Sequence, residues 1–332
     1  MSKYDTDLDY VILDIDISRE ELEEIKAEAD KIISENKKKK KDEETKKILA
    51  WAYLKKAQCR RKLESGYTCE VILYENIGIG VFGKMKKSIQ KLLNRALELS
   101  PNMPEALMQL GIINEYDFYD HIDYKAISFL SMAIQIKPDY AAAFNNRAMC
   151  FRSLDEVQTI GNQEEIDKFE KEKFEKNKGK FRSAVDDLTE AIKIRPFDAV
   201  YYLNRGVFHS KLKEHKEAVE DFSNAINYAS DKIKEPLKKD EKIFNLRGKE
   251  YTELKEYGKA IEDFSETLIL KPNYDNTLLL RGKAYYLAGE KEKAKADIEE
   301  YLNHKRKTED DKNRREIINY TGIAPEDILK GE

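Results

Sequence analysis

The feature that most constrains this chain is a 34-residue period in its C-terminal half. Residues 241–274 contain two amphipathic segments, each with apolar side chains at helical spacing, and the unit closes at Pro272. Large apolar residues on each segment face small ones on the other, Gly248 and Ala260, which lets two antiparallel helices approach closely. Residues 275–308 repeat this pattern in register. Two helices per unit at this period predict a helical solenoid.

Earlier parts of the chain carry the same pattern of small and aromatic residues, and this pattern resembles the tetratricopeptide repeat (TPR) family. We count five such repeats over residues 104–308, with a charged insertion at 155–180 that splits one of them. A degenerate repeat with a long glycine-containing insertion occupies 45–103, where Trp51 and Leu54 stand as the Trp and Leu of a TPR first helix do. The resemblance implies an all-α, TPR-type helical-repeat solenoid, a right-handed superhelix of antiparallel helix pairs with an irregular N-terminal arm.

The flanks of the array are predicted from their local patterns. Residues 1–17 have no helical period and are interpreted as an acidic N-terminal arm. Residues 18–44 are predicted to be an N-terminal helix capped by Ser18, followed by a lysine-rich junction. Its run of lysines at 37–41 could bind phosphate or acidic lipid, but acidic residues follow at once, which favours a solvated junction. Residues 309–332 are predicted to be a capping helix and tail, because terminal repeats need a polar outer face.

Composition narrows the class of protein. Among 332 residues, 37% are charged and 41% hydrophobic, which suits a mostly helical protein, and a net charge of −4 gives no overall attraction to nucleic acid or anionic membrane. The three cysteines are odd in number and form no CxxC pair, the N-terminus is acidic, and no apolar run is long enough to span a bilayer. These features predict a cytoplasmic location.

The sequence offers no case for an enzyme, a metal site or a cofactor. The four histidines, His121, His209, His215 and His304, are scattered, so no paired metal motif is present. No GxSxG, phosphate-binding loop or Cys–His pattern appears. His209 takes the place of Tyr251 in the later repeat and is predicted to be a packed residue. We therefore predict a non-enzymatic protein.

A GxGxxG sequence is formed by Gly78, Gly80 and Gly83 in the first insertion. Its backbone N–H groups could hold a phosphate at the start of the helix predicted from residue 84. No second strand follows, so the βαβ unit of a dinucleotide-binding fold is missing. A regulatory protein that binds a nucleotide or phosphate through the Gly78–Gly83 loop remains the alternative function.

Four repeats share an arginine one position before the small residue and an aspartate before the apolar residue of the second helix. The repeat that starts at Pro104 has Leu110 and Phe129 there instead, so the two charges occur together and are absent together. We predict an ion pair within each repeat; the alternative is a row of arginines that binds an acidic ligand. The arginines are Arg147, Arg205, Arg247 and Arg281, and the aspartates are Asp187, Asp221, Asp263 and Asp297.

The resemblance to the TPR family also implies a concave groove, lined by the first helix of each repeat, that binds a peptide or helix of a partner protein. Carried onto this sequence, the groove positions are Met108, Ile112, Asn145, Asn146, Met149, Arg152, Leu203, Asn204, Val207, Asn245, Lys249, Lys283 and Tyr286. The lysines near the C-terminal end favour a ligand with acidic residues at that end. We predict neither a nucleic-acid partner nor a membrane partner.

Some family members hold the C-terminal carboxylate of chaperones in a clamp of Lys and Asn residues. Asn146 and Asn204 match the middle asparagine of this clamp. The Lys-and-Asn pair of the preceding repeat is missing, because Met108 and Ile112, or Asn145 and Met149, stand at its positions. The sequence therefore argues against a carboxylate clamp of that type.

Overall fold

A computed structural model describes residues 18–36, 42–65, 79–115, 124–151, 163–229, 241–272 and 275–304. These residues form thirteen α-helices joined by turns, with no strand among them, so the all-α prediction is confirmed for this part of the chain. The helices are α1 (Arg19–Asn36), α2 (Glu43–Ser65), α3 (Ile79–Leu99), α4 (Pro104–Glu115), α5 (Tyr124–Ile136), α6 (Ala141–Met149), α7 (Gln163–Ile194), α8 (Ala199–Lys211), α9 (His215–Ala229), α10 (Glu241–Glu253), α11 (Tyr257–Leu270), α12 (Asp275–Leu287) and α13 (Lys291–His304).

Side-chain caps fix the start of several helices. The Ser18 hydroxyl accepts from the backbone N–H of Glu21 at 3.2 Å, and the Glu21 carboxylate accepts from the backbone N–H of Ser18 at 2.8 Å. This reciprocal pair is a capping box, so the predicted cap at Ser18 is confirmed. Asp198 accepts in the same manner from the backbone N–H of Val200 at the start of α8, at 3.2 Å.

Helix pairs pack through the small residues that the sequence singled out. A Cβ placed on Gly248 of α10 would lie 2.7 Å from the Phe264 ring of α11, and one on Gly206 of α8 would lie 2.8 Å from the Phe222 ring of α9. Since real Cβ atoms do not approach so closely, only glycine allows these rings to lie against the opposing backbone. The predicted contact of a large residue on one helix with a small one on the other is confirmed.

The chain divides into two compact units, Met1–Gln158 and Thr159–Glu332. In the first unit, α1 packs on α2, α2 on α3, α3 on α4, and α4 on α5 and α6. One core cluster joins Leu54 of α2, Leu93 of α3 and Leu110 of α4, and a second is centred on Leu130 of α5. Each helix pair buries its apolar stripe against the next pair, as a stack of repeats requires.

The second unit contains α7 to α13, each packed on the helix that follows it. Its cores are centred on Phe222, Phe264 and Ile298, each with no exposed surface. Helix α7 is 32 residues long. It combines the second helix predicted at 181–194 with most of the predicted insertion, whose residues 155–162 lie outside the described part of the chain.

Several predictions fall wholly or partly outside the described residues. These are the N-terminal arm, the lysine run at 37–41, the C-terminal capping helix and tail, and the loop that includes Gly78. Helix α3 begins at Ile79, five residues before the predicted start, so Gly80 and Gly83 lie within its first two turns. Among the described helices, none combines the length and the apolar character needed to cross a membrane.

Candidate functional site

The first helices of the three repeats in the second unit are joined directly. The Ser210 hydroxyl at the end of α8 donates to Glu250 Oε1 on α10 at 2.6 Å. The Asn245 side-chain amide on α10 donates to Thr277 Oγ1 on α12 at 2.6 Å. These bonds hold α8, α10 and α12 in sequence.

Most of the predicted groove residues of this unit keep part of their side chain accessible. Leu203, Asn204 and Val207 of α8 are half-buried, and so are Lys249 of α10 and Lys283 of α12. Tyr286, one turn after Lys283, is half-buried against the core of the last repeat. We call the set Leu203, Asn204, Val207, Lys249, Lys283 and Tyr286 the inner face of the second unit.

Asn245 does not belong to this face, which corrects the sequence prediction. The residue is 7% exposed, and its amide already donates to Thr277. An amide held in a buried hydrogen bond cannot also serve the backbone of a bound peptide without breaking that bond. Asn245 therefore ties two repeats together.

In the first unit, Met108 and Ile112 are also corrections. Met108 has no exposed surface and Ile112 is 3% exposed, because both belong to the core that α4 forms with α5 and α6. Neither side chain can contact a ligand in this arrangement. Residues of α5 and α6 cover the face of α4 that carries them.

The remaining predicted residues of the first unit lie on or beyond α6. Asn145, Asn146 and Met149 are half-buried, and the Asn146 amide donates to the backbone carbonyl of Ala142 at 2.8 Å. Arg152 lies outside the described residues. The first unit therefore offers fewer accessible groove positions than the sequence predicted.

Lys249 is electrostatically unusual among the predicted residues. Its side chain is half-buried and forms no ion pair with any described residue. Burial lowers the pKa of the Lys249 ammonium below its ordinary value, and the nearby charge of Glu250 opposes this only in part. An ammonium that has lost hydration without gaining a carboxylate partner would be stabilised by an anionic ligand.

The predicted ion pairs are confirmed in three repeats. Each guanidinium makes two parallel hydrogen bonds to its carboxylate, as between Arg247 and Asp263 at 2.8 and 2.7 Å. The same geometry joins Arg205 to Asp221 at 2.9 and 2.7 Å. It also joins Arg281 to Asp297 at 2.8 and 2.7 Å.

Each of these arginines also binds a hydroxyl group, a partner that the sequence did not lead us to predict. The remaining guanidinium nitrogen of Arg247 donates to the Ser223 hydroxyl on the second helix of the preceding repeat, at 3.1 Å. Thr189, Ser265 and Ser131 serve Arg205, Arg281 and Arg147 in the same way, at 3.2, 3.2 and 2.9 Å. The signal was present, because each hydroxyl stands two residues after the aspartate position.

These contacts decide between the two interpretations of the arginines. Burial raises the pKa of the Asp263 and Asp297 carboxyls, while their arginines pull it down. The guanidinium groups of Arg247 and Arg281 are already held by a carboxylate and a hydroxyl. A row of arginines open to an acidic ligand is thus not present in these repeats.

His209 and His215 of the second unit each contact a glutamate. His209 Nδ1 lies 2.7 Å from Glu214 Oε2, which confirms its prediction as a packed residue, and His215 Nδ1 lies 2.7 Å from Glu250 Oε2. Within the described ranges, no three His, Cys, Asp or Glu side chains cluster as a metal site would need. His209 therefore ties α8 to the turn that precedes α9, and His215 joins α9 to α10.

Part of the chain is similar in sequence to known proteins. Residues 199–232 match the family described as Tetratricopeptide repeat. Over 110 residues the chain is 33% identical to Small glutamine-rich tetratricopeptide repeat-containing protein 2 of Saccharomyces cerevisiae, a match that covers 28% of this chain and 31% of that protein. Over 166 residues it is 26% identical to the DnaJ homolog subfamily C member 7 homolog of Schizosaccharomyces pombe, covering 49% of this chain and 32% of that protein. The matches therefore span about a third of the length of these relatives.

A solved structure has a similar fold. YrrB, described as a TPR protein with an unusual peptide-binding site, aligns over 70% of this chain and 98% of its own length. The TM-score is 0.51 at 12% sequence identity. At this identity the likeness concerns the fold alone.

Proposed function

We propose that this chain, in which residues 199–232 match the tetratricopeptide repeat family, is a non-enzymatic scaffold whose second unit binds a peptide or helix of a partner protein on its inner face. The observation that carries the proposal is Lys249, a half-buried ammonium without a carboxylate partner among the described residues. Keeping such a group costs stability, and a bound anion would offset that cost. A cytoplasmic location stays a prediction from the sequence.

The chemistry of the inner face defines the segment that would fit. Leu203 and Val207 on α8 offer apolar contact, and the Tyr286 ring offers more on α12. Lys249 and Lys283 occupy equivalent positions on α10 and α12, each one residue after the glycine at which the helix pair packs. The bound segment therefore carries apolar side chains toward α8 and acidic ones toward α10 and α12.

Electrostatics should control both the affinity and the choice of segment. A carboxylate that meets the Lys249 ammonium forms an ion pair shielded from water on one side, which makes it stronger than a fully exposed one. Binding should accordingly weaken as salt is added. A segment with lysines at the same positions should be rejected, because like charges would meet.

The test compares two variants that change the net charge equally. A peptide that binds the full chain is first selected from a random displayed library. Lys249→Gln should then raise its Kd by about tenfold, the equivalent of one partly buried ion pair. Lys255→Gln, in the turn of the same repeat and exposed, should leave the Kd unchanged.

Two outcomes would contradict the proposal. Equal effects of the two variants would mean that only net charge matters. A selected peptide that is basic, or that binds Lys249→Gln as well as the parent chain, would mean that the inner face is not the site. Circular dichroism of both variants controls for loss of fold.

A further inference from the structure

The N-terminal half of α7 builds a basic and aromatic surface that the inner face does not include. Phe174 of α7 is half-buried, and the Lys178 ammonium on the same helix lies 5.6 Å from the centroid of its ring. The Lys213 ammonium, from the turn between α8 and α9, also lies 5.6 Å from that centroid. One ring thus holds two cations. We call Phe174, Lys178 and Lys213 the α7 elbow.

The positive charge of the elbow is not neutralised by the described residues. Lys178 and Lys213 are exposed, and neither forms an ion pair within the described part of the chain. Glu175, three residues before Lys178, is not paired with it there. The nearby carboxylate of Glu214 is already held by Arg182 and His209. Two cations near one ring repel each other, so an anion would stabilise the arrangement.

The elbow stands on a packed part of α7. Asn177 is 5% exposed and Phe181 is 3% exposed, and the Phe181 ring packs on that of Phe208 in α8 at 6.1 Å between centroids. A rigid support lowers the entropy that a ligand must overcome to order the binding groups. Lys211 adds a third ammonium, 5.6 Å from the Phe181 centroid.

The next repeat shows that stacking of repeats does not require the elbow. Its turn places Lys255 at φ 61°, against φ 59° for Lys213, so the two turns have the same backbone conformation. The second helix that precedes that repeat, α9, has 15 residues, whereas α7 has 32. The extra length of α7 is what brings Phe174 and Lys178 to the turn.

We propose that the α7 elbow is a second docking site, which binds an acidic segment of a partner protein. Two carboxylates of such a segment can meet the Lys178 and Lys213 ammonium groups. A nucleic acid or an anionic membrane is held by many basic side chains spread over a wide surface, whereas two lysines match two carboxylates of a short acidic segment.

The test uses the full chain and a fluorescein-labelled deca-glutamate peptide at low salt. Lys178→Gln combined with Lys213→Gln should raise the Kd of this peptide by about tenfold, the sum of two exposed ion pairs. A matched pair of substitutions, Lys87→Gln with Lys255→Gln, removes the same charge from other exposed positions and should change the Kd little. Lys249→Gln separates the elbow from the inner face and should also leave most of the binding intact.

Each other outcome overturns the proposal. If the parent chain does not bind the peptide, or if the matched pair weakens binding as much as the elbow pair, the elbow is not a docking site. If Lys249→Gln alone abolishes binding, the inner face is the site of acidic segments. Single-stranded RNA and vesicles with phosphatidylserine serve as further probes. If Lys178→Gln with Lys213→Gln weakens binding of one of these probes but not of deca-glutamate, the partner at the elbow is a nucleic acid or a membrane and the proposal is wrong.

Discussion

Replacing Arg247 with leucine should destabilise the second unit more than replacing both Arg247 and Asp263. The guanidinium side chain is 19% exposed and the carboxylate 7%, and two hydrogen bonds of 2.8 and 2.7 Å join them. Removing the arginine leaves a buried carboxylate without its cation, which costs roughly 3–5 kcal/mol. Burial already raises the pKa of Asp263, so protonation relieves part of this cost and about 3 kcal/mol is expected.

The chain itself supplies the compensating pair. The repeat of α4 and α5 has Leu110 and Phe129 at the two positions, and Phe129 packs against the core that contains Leu110. Arg247→Leu combined with Asp263→Phe should therefore recover about 2 kcal/mol, since apolar residues can replace a buried ion pair at little cost. The residual loss comes from the Ser223 hydroxyl, which no longer receives its hydrogen bond.

Urea unfolding of the full chain, followed by circular dichroism, measures the free energy of unfolding for the parent, both single variants and the double variant. The double-mutant cycle should give a coupling of more than about 2 kcal/mol between positions 247 and 263, because the double variant recovers that much of the Arg247→Leu loss and Asp263→Phe alone also breaks the pair. A coupling near zero would refute the claim that the pair stabilises the repeat.

Three further predictions concern packing, capping and charge. Gly248→Ala should lower the free energy of unfolding by about 1–2 kcal/mol, because its Cβ would lie 2.7 Å from the Phe264 ring. Gly282→Ala should be neutral or stabilising, because its Cβ would lie 3.3 Å from the flexible end of Ile298. Urea unfolding of both variants measures the difference. Asp198→Ala should cost about 1 kcal/mol through loss of the cap of α8, measured in the same assay. Burial lowers the pKa of Lys249 in the folded state, so the charged ammonium destabilises the fold at any pH below that pKa. Lys249→Met should therefore raise the thermal midpoint at neutral pH. This gain should shrink at alkaline pH, where the lysine is neutral in both the folded and the unfolded state.

The sequence predicted those features that a single repeat contains. The contact of Gly248 with Phe264 and the pairing of Arg247 with Asp263 both lie within one helix pair, so the repeat spacing sufficed to find them. The cap at Ser18 joins residues three apart in the chain, so the local sequence sufficed to predict it.

Features that depend on the next repeat were predicted less well. Met108 was assigned to the groove from its place in its own helix, but its burial is decided by the neighbouring helices of its core cluster. Asn245 was assigned in the same way, and Thr277 of the following repeat engages its amide. The hydroxyl partners of the arginines also belong to a neighbouring helix, as Ser223 does for Arg247. A pattern within one repeat does not determine what the adjacent repeat covers.

The measurement that tests the central claim most directly is site-specific photo-crosslinking to the selected peptide. A photoreactive benzoylphenylalanine would replace Lys283 on the inner face in one variant and Ile269, which is 72% exposed on α11, in the other. If the inner face is the binding site, the peptide is captured from position 283 and not from position 269. Capture from position 269 alone, with both variants folded, would contradict it.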